Sequence, residues 1–140
     1  MADPYYEARK EVARANRSFY RAFERQDPAA MRAIWLDSPT VKCIHPGGQV
    51  LSGIDRVQAS WEAIFENTEG IRFDLADLDI QIEGGVAWVL GVERIRSSSS
   101  SSPGQPLLSE MAGTNLFVRR DGDWKLVLHH ASPISRRFSP

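Results

Sequence analysis

In the first third of the chain, apolar residues recur every three or four positions, the spacing of an amphipathic helix. This pattern predicts a long helix over residues 4–25. Asp27 and Pro28 suit the N-cap and first turn of a short second helix, which ends at residues 37–39. The same periodicity over residues 53–66 predicts a third helix. The apolar stripe of the first helix is formed by Val12, Ala15, Phe19, Ala22 and Phe23.

Most of the second half alternates apolar with polar residues, which is typical of strands that bury one face. Gly84-Gly85 and Asp121-Gly122 predict tight hairpin turns. Six serines followed by Pro-Gly-Gln-Pro predict a flexible hairpin loop at 97–106. The order of elements predicts an α+β fold, with a curved antiparallel sheet packed on three N-terminal helices. The strand segments are 41–45, 49–51, the alternating runs 71–75 and 78–82, and then 86–96, 107–119 and 124–131.

Composition narrows the class of protein. The chain has 140 residues, 42% of them hydrophobic and 25% charged, which predicts a single domain over 1–134 and a tail at 135–140. The formal net charge of −1, with no basic stripe, argues against a nucleic-acid partner. The longest apolar run, 86–92, is too short to span a membrane. Charges spread through the N-terminal segment do not fit an export signal, and Cys43 is the only cysteine, so a cytoplasmic location is expected.

A resemblance to a known family is carried by residues 15–23, 27–31, 41–48, 51–53, 60–65, 114–120 and 124–133. With these segments the chain resembles nuclear transport factor 2-like (NTF2-like) domains, and more narrowly SnoaL-like and ketosteroid isomerase-like proteins. The resemblance implies a cone, also described as a cystatin-like roll, that holds a small organic ligand. It also implies a homodimer formed through the outer sheet face.

His45 is the first candidate for chemistry, because it ends a strand just before a Pro-Gly-Gly turn. By the resemblance, it falls where steroid isomerases carry their aspartate base. A neutral imidazole is a competent proton acceptor near physiological pH. The alternative is a histidine that only hydrogen-bonds the turn backbone.

The last strand and the strand at 86–96 supply the other catalytic candidates. Strict alternation places His130 on the more apolar face with Trp124, so we expect His130 inside the cone and His129 outside. Glu93 lies within an apolar strand and needs a partner, such as an arginine or His130. Asn115 could line the same cavity as a hydrogen-bond donor and acceptor. The alternatives are a core histidine bonded to a carbonyl and a structural ion pair.

Two functions remain open at this point. The first is a cofactor-independent isomerase, dehydratase or cyclase that uses His45 as general base and acts on a small, mainly apolar molecule. The second is a non-catalytic ligand-binding or dimerisation module, favoured because Phe19 stands where the resemblance implies a catalytic tyrosine. Glycine-rich phosphate loops and metal-ligand spacings are absent from the sequence, so no cofactor and no metal are expected. Pocket residues are expected among Tyr20, Phe23, Trp35, Trp61, Phe65 and Asn115.

Overall fold

Three helices and a six-stranded curved sheet make up the computed structural model, which describes residues 2–135. The predicted α+β class and the three helices are therefore confirmed. The predicted tail lies outside the described residues from position 136 onward, and the domain limits 1–134 stay a prediction. The elements are α1 Tyr6–Arg25, α2 Pro28–Ile34, β1 Lys42–Ile44, β2 Leu51–Ser52, α3 Ile54–Glu66, β3 Thr68–Glu83, β4 Val86–Ser99, β5 Leu107–Arg120 and β6 Asp123–Pro133.

The helices form as their patterns predict. The stripe of α1 is buried against the sheet, mainly against β3. At the start of α2, the Asp27 carboxylate accepts a hydrogen bond from the Ala30 N–H at 3.1 Å, and Pro28 occupies the first turn. The buried face of α3 is formed by Ile54, Val57, Trp61 and Phe65.

The sheet has the strand order β2-β1-β6-β5-β4-β3. Neighbours are antiparallel except for β1 and β6, which run parallel with Lys42 opposite Leu128. The expectation of a wholly antiparallel sheet was therefore wrong for this pair. β1 and β6 are far apart in sequence, so no hairpin forces them to run in opposite directions.

Of the three register shifts in the sheet, the one within β3 and the one in β6 bear on the predicted alternation, while the third is at Thr68–Gly70, where β3 begins. In β3, Ala76 lies opposite Val92 and Asp79 opposite Leu90, so two residues of β3 face one residue of β4. Asp77 has a φ of +55° at this bulge. One continuous strand therefore contains both alternating runs that the sequence shows. In β6, Leu128 pairs with Leu116 and Leu126 with Phe117, which leaves Val127 as the extra residue.

The serine-rich loop begins later than predicted. Ser97, Ser98 and Ser99 belong to β4 and pair with the first residues of β3. The connection between β4 and β5 therefore spans 100–106 rather than 97–106. Serine has a weak preference for strands, but the backbone groups of these three residues pair with β3, and this pairing outweighs that weak preference.

The core lies between the three helices and the inner face of the sheet. We call this space, between helices and inner face, the cone. Phe19, Trp61, Phe117 and Leu126 are fully buried there. Within residues 2–135, none of the helices combines the length and the apolar character needed to cross a bilayer.

Candidate functional site

Five polar side chains are buried in the cone and form a connected group, which we call the interior polar cluster. None of the five is more than 7% exposed. Buried polar groups are costly unless they are hydrogen-bonded, so their pairing decides what chemistry the cluster can support. Its members are Asn16, Tyr20, Glu93, Asn115 and His129.

The two adjacent histidines of β6 are placed opposite to the sequence expectation. His129 is 2% exposed and lies inside the cone, whereas His130 is exposed on the outer face opposite Thr114. The expectation that His130 reaches the cone was wrong. The bulge at Val127 adds one residue, so the strict alternation from Trp124 fails after Leu126 and the inward positions become 129 and 131.

The hydrogen bonds of Asn115 fix the tautomer of His129. The Asn115 Nδ2 donates to Asn16 Oδ1 at 2.8 Å, so its Oδ1 is the acceptor facing His129 Nδ1 at 2.6 Å. His129 Nδ1 therefore carries the proton. Burial, followed by the charges of His45 and His130, lowers the pKa of His129 to about 3. The ring is neutral near pH 7, with Nε2 as a hydrogen-bond acceptor.

Glu93 finds its partner on α1 rather than in an arginine or His130, which corrects both expected pairings. The Tyr20 hydroxyl donates a hydrogen bond to Glu93 Oε2. Burial raises the pKa of Glu93, and the bond from Tyr20 opposes that rise. Burial and the neighbouring Glu93 charge raise the pKa of Tyr20. The pair therefore holds two protonated or readily protonated oxygens in an apolar setting.

His45 is half-buried at the end of β1 and bonds a side chain of α3, not the turn backbone. Its Nε2 lies 2.9 Å from Ser60 Oγ, and Ser60 Oγ donates to the Val57 carbonyl at 2.6 Å. Because the Ser60 proton is already used, His45 Nε2 is the donor and Nδ1 is the basic nitrogen. Burial lowers the pKa of His45, so its neutral form prevails at neutral pH.

Trp61 connects the two interior imidazoles. Its ring centroid lies 4.7 Å from that of His45 and 5.8 Å from that of His129. Trp61 is fully buried, yet its Nε1 has no hydrogen-bond partner within residues 2–135. Trp35 and Trp124 share this property, but only Trp61 stands between two imidazoles. An unpaired buried N–H is unfavourable and is relieved by any acceptor that reaches it.

The expected pocket residues divide into two groups. The first group lies in the interior polar cluster or beside Trp61, and its members are connected by ring contacts or through His129. It consists of Tyr20, Phe23, Phe65 and Asn115. Trp35 instead ends α2 and bridges to Leu126 of β6. Whether any of them touches a ligand stays a prediction.

Sequence reasoning missed Asn16, Ser60 and the inward position of His129. A polar Asn16 on the apolar stripe of α1, four residues before Tyr20, was a signal that could have revealed the first.

Cys43 lies 3.6 Å from His45 Nε2, but burial raises the pKa of its thiol to about 12, so it is not a thiolate nucleophile. In the described part of the chain, no group of three His, Cys, Asp or Glu side chains is arranged to hold a metal ion.

The curved sheet on three helices, with polar groups inside the cone, defines the NTF2-like class of protein. The model of the SnoaL-like domain family matches residues 12–136. The chain therefore belongs to the SnoaL-like domain family.

Individual relatives point in different functional directions. A crystal structure from Streptomyces avermitilis, provisionally described as a dehydratase of the NTF2-like family, is 37% identical with a TM-score of 0.83 and covers 90% of this chain and 95% of that one. A Thiobacillus denitrificans structure, provisionally described as a calcium/calmodulin-dependent protein kinase type II association domain, is 28% identical with a TM-score of 0.75, covering 86% and 93%. The Arabidopsis thaliana F-box protein SKIP8 is 30% identical over 128 residues. These are 91% of this chain, which spans about half (52%) of that protein.

Proposed function

We propose that the cone binds a small, mainly apolar organic molecule and that the protein is a cofactor-independent lyase or isomerase with His45 as general base. The observation that carries this proposal is Trp61, whose buried Nε1 lacks an acceptor and whose ring lies against both His45 and His129. The provisional dehydratase description of the 37% identical structure supports the same class of reaction.

The protonation states support a defined division of roles. His45 Nδ1 accepts a proton from carbon, and the electron pair left on carbon forms a double bond. In a dehydration, the C–O bond breaks and the leaving oxygen takes a proton from Glu93, whose raised pKa favours the acid form. Solvent then returns the proton from His45 to Glu93. His129, the inward imidazole of β6, accepts a hydrogen bond from the substrate at Nε2.

A non-catalytic module is the second candidate, and one specific observation favours it. The polar side chains of the cone already satisfy one another, since Tyr20 bonds Glu93 and Asn115 bonds both Asn16 and His129. The provisional association-domain description of the 28% identical structure is in line with this alternative.

We also propose that two copies pair through the outer sheet face. On β4, β5 and β6, the residues that alternate with the inward-facing ones point to the outer face. Many of them are apolar, so this face has an apolar surface. Leu90 is 45% exposed there, and a contiguous apolar surface of this kind is typical of a contact site. Trp88, Val92, Leu116, Val118 and Leu128 belong to the same face.

The test uses the step that a lyase and an isomerase share, removal of a proton from carbon. A panel of small aromatic and aliphatic ketones is incubated with the protein in D₂O, and exchange at the α-carbon is followed by NMR. We expect exchange of at least one ketone, slowed about a hundredfold or more in His45→Gln and unchanged in His130→Gln.

The control separates chemistry from binding. A change in tryptophan fluorescence that is lost in Trp61→Phe reports that a ketone enters the cone beside Trp61, since the chain has four tryptophans. Binding without exchange, or exchange that is as fast in His45→Gln as in the unmodified protein, would favour the non-catalytic module.

A further inference from the structure

The hydrogen bonds that hold the interior polar cluster together leave two of its polar atoms free. Glu93 uses Oε2 for the bond from Tyr20, and His129 uses Nδ1 for the bond to Asn115. Within residues 2–135, Glu93 Oε1 and His129 Nε2 have no hydrogen-bond partner. A group that completes the hydrogen bonds of a buried polar atom is favoured there, so these two atoms define what a ligand in the cone must offer.

The two side chains lie over the same short segment of β5. Glu93 Oε2 stands 2.6 Å from the position that a Cβ at Gly113 would occupy, so the carboxyl covers that residue. His129 lies directly opposite Asn115 in the register of β5 and β6. Gly113 and Asn115 are both buried on the inner face, two residues apart, which is about 7 Å along a strand. One small molecule can therefore contact both Glu93 and His129.

Each free atom has a definite hydrogen-bonding character. His129 Nε2 is only an acceptor, because the proton is on Nδ1 and burial lowers the pKa of the ring. Burial raises the pKa of Glu93, and its Oε2 already accepts from Tyr20, so the proton of the acid form is on Oε1. A hydroxyl group suits both atoms, because it donates one hydrogen bond and accepts others.

The interior of the cone holds no positive charge that would bind an anion. Every arginine and lysine among the described residues is at least partly exposed. Burial lowers the pKa of both His45 and His129, so the two imidazoles are neutral near pH 7. An anion beside Glu93 would lie in an apolar setting without a cationic partner, which is unfavourable. The cone therefore favours a neutral ligand over a carboxylate or a phosphate.

We propose that the cone binds a neutral β-hydroxy ketone, with its hydroxyl donating to His129 Nε2 and the hydroxyl oxygen facing Glu93. This inference rests on the proposed function and names its substrate class. Trp61 stands between the rings of His45 and His129, and its unpaired Nε1 is the donor for the carbonyl oxygen. The three polar groups of the cone that lack partners thus match a donor and two acceptors on one molecule.

The same arrangement suits the elimination of water. His45 Nδ1 removes a proton from the carbon between the carbonyl and the hydroxyl-bearing carbon, a position that the ketone makes acidic. The electron pair left on carbon forms the C=C bond, and the C–O bond breaks. The hydroxyl leaves as water with the proton of Glu93, and solvent returns the proton from His45 to Glu93. The product is a conjugated enone, and the step needs no oxidant or reductant.

A matched series of four aromatic compounds tests the proposal. The parent is the aldol of benzaldehyde and acetone, which loses water to give benzalacetone. Its methyl ether lacks the hydroxyl donor, benzylacetone lacks that oxygen altogether, and β-hydroxy-β-phenylpropionate replaces the ketone with an anion. Titration calorimetry in His45→Gln measures binding without consuming the parent. We expect the parent to bind at least about tenfold more tightly than any of the other three.

Substitution of the acceptor shows whether His129 is the source of this preference. His129→Phe keeps a ring and removes Nε2. We expect the preference for the parent over its methyl ether to fall from about tenfold to about one, whereas His130→Phe on the outer face leaves it unchanged. A ratio of two affinities does not move with a general loss of stability, and thermal unfolding verifies that each variant is folded.

The outcomes separate this inference from the function on which it rests. Equal affinity for the parent and its methyl ether, or tighter binding of the anion, would overturn the β-hydroxy ketone while leaving the cone a binding site. A preference that persists in His129→Phe would overturn the role of His129. Binding of none of the four compounds would reject the ligand-binding cone itself. With the unmodified protein, absorbance of benzalacetone reports turnover, and the preference without turnover would support the ligand class and reject the lyase.

Discussion

The Glu93 carboxylate lies in the space that a side chain at Gly113 would fill. A Cβ built at position 113 would stand 2.6 Å from Glu93 Oε2 and 2.9 Å from Cδ. Gly113 is on β5, the strand next to Glu93, and no unusual backbone angle requires glycine there. The missing side chain therefore makes room for a buried carboxyl and its bond to Tyr20.

Gly113→Ala tests this relationship. We expect a loss of about 1–3 kcal/mol in the free energy of unfolding, because the methyl group forces Glu93 away from Tyr20. Urea unfolding measures the loss. Gly85→Ala is the matched control, since its nearest neighbour would be an Arg119 carbon at 4.0 Å. In the Glu93→Ala background, Gly113→Ala should cost clearly less, and full additivity of the two changes would contradict the steric account.

The buried His129 predicts a specific acid sensitivity. Its pKa is about 3 in the folded protein, against the ordinary value of 6.5 for a histidine, so the unfolded chain binds the proton more readily. Stability is therefore lost as the pH falls from 6.5 towards 3. The loss is about 1.4 kcal/mol per pH unit once the unfolded group is protonated. The difference in urea midpoint between the unmodified protein and His129→Gln, followed from pH 7 to pH 4.5, should show this slope free of the opposing contribution of Glu93.

The neighbouring histidine supplies the control for that measurement. His129→Gln keeps a donor towards Asn115 and should remove this acid-dependent loss of stability, whereas the exposed His130→Gln should retain it. If both variants change the slope equally, the two rings do not occupy the different faces described above.

Glu93 predicts a dependence of the opposite sign. Its pKa is raised in the folded protein, so the unfolded chain loses its proton first, and stability falls as pH rises above 4.5. Glu93→Gln retains an acceptor for Tyr20 without a charge. Because Glu93 offsets the contribution of His129 over the same range, we expect the urea midpoint of Glu93→Gln to fall more steeply than that of the unmodified protein as the pH falls from 6.5 to 4.5. An unchanged profile would mean that this carboxyl is ionised in the fold as easily as in water.

The proposed dimer predicts a change in mass on introducing charge into the outer face. Leu90→Arg should convert the dimer into a monomer, because burying an unpaired guanidinium in an apolar contact is unfavourable. Light scattering coupled to size exclusion measures the mass. Leu107→Arg, at an exposed leucine where β5 begins, is the control and should leave the mass unchanged. A monomeric unmodified protein would reject the proposal outright.

Local patterns predicted most of the fold. Apolar spacing and turn residues, which act over a few positions, predict the helices and the Gly84-Gly85 hairpin. They also predict the two alternating runs of β3 that the bulge separates. Ser97–Ser99 differ from expectation because pairing with β3 is decided by the ladder and not by serine itself.

The interior polar cluster depends on contacts that no local pattern contains. Tyr20 and Glu93 are 73 residues apart in sequence, and Asn16 and Asn115 are 99 apart. The inward position of His129 depends on one extra residue at Val127, which alternation alone does not reveal. The sequence therefore identified His45, Glu93 and Asn115 as candidates, but it did not identify the hydrogen-bond partners of these side chains.

The strand at the open end of the sheet also decides how copies of this chain can meet. β3 is an edge strand of 16 residues, and such a length invites another chain to extend the sheet. Its bulge at Asp77 interrupts the row of free backbone groups, and acidic side chains follow along the same edge at Asp79 and Glu83. At the other end, β2 offers only two residues. Growth of an open-ended, fibre-like polymer by strand pairing is thereby disfavoured at both edges of the sheet.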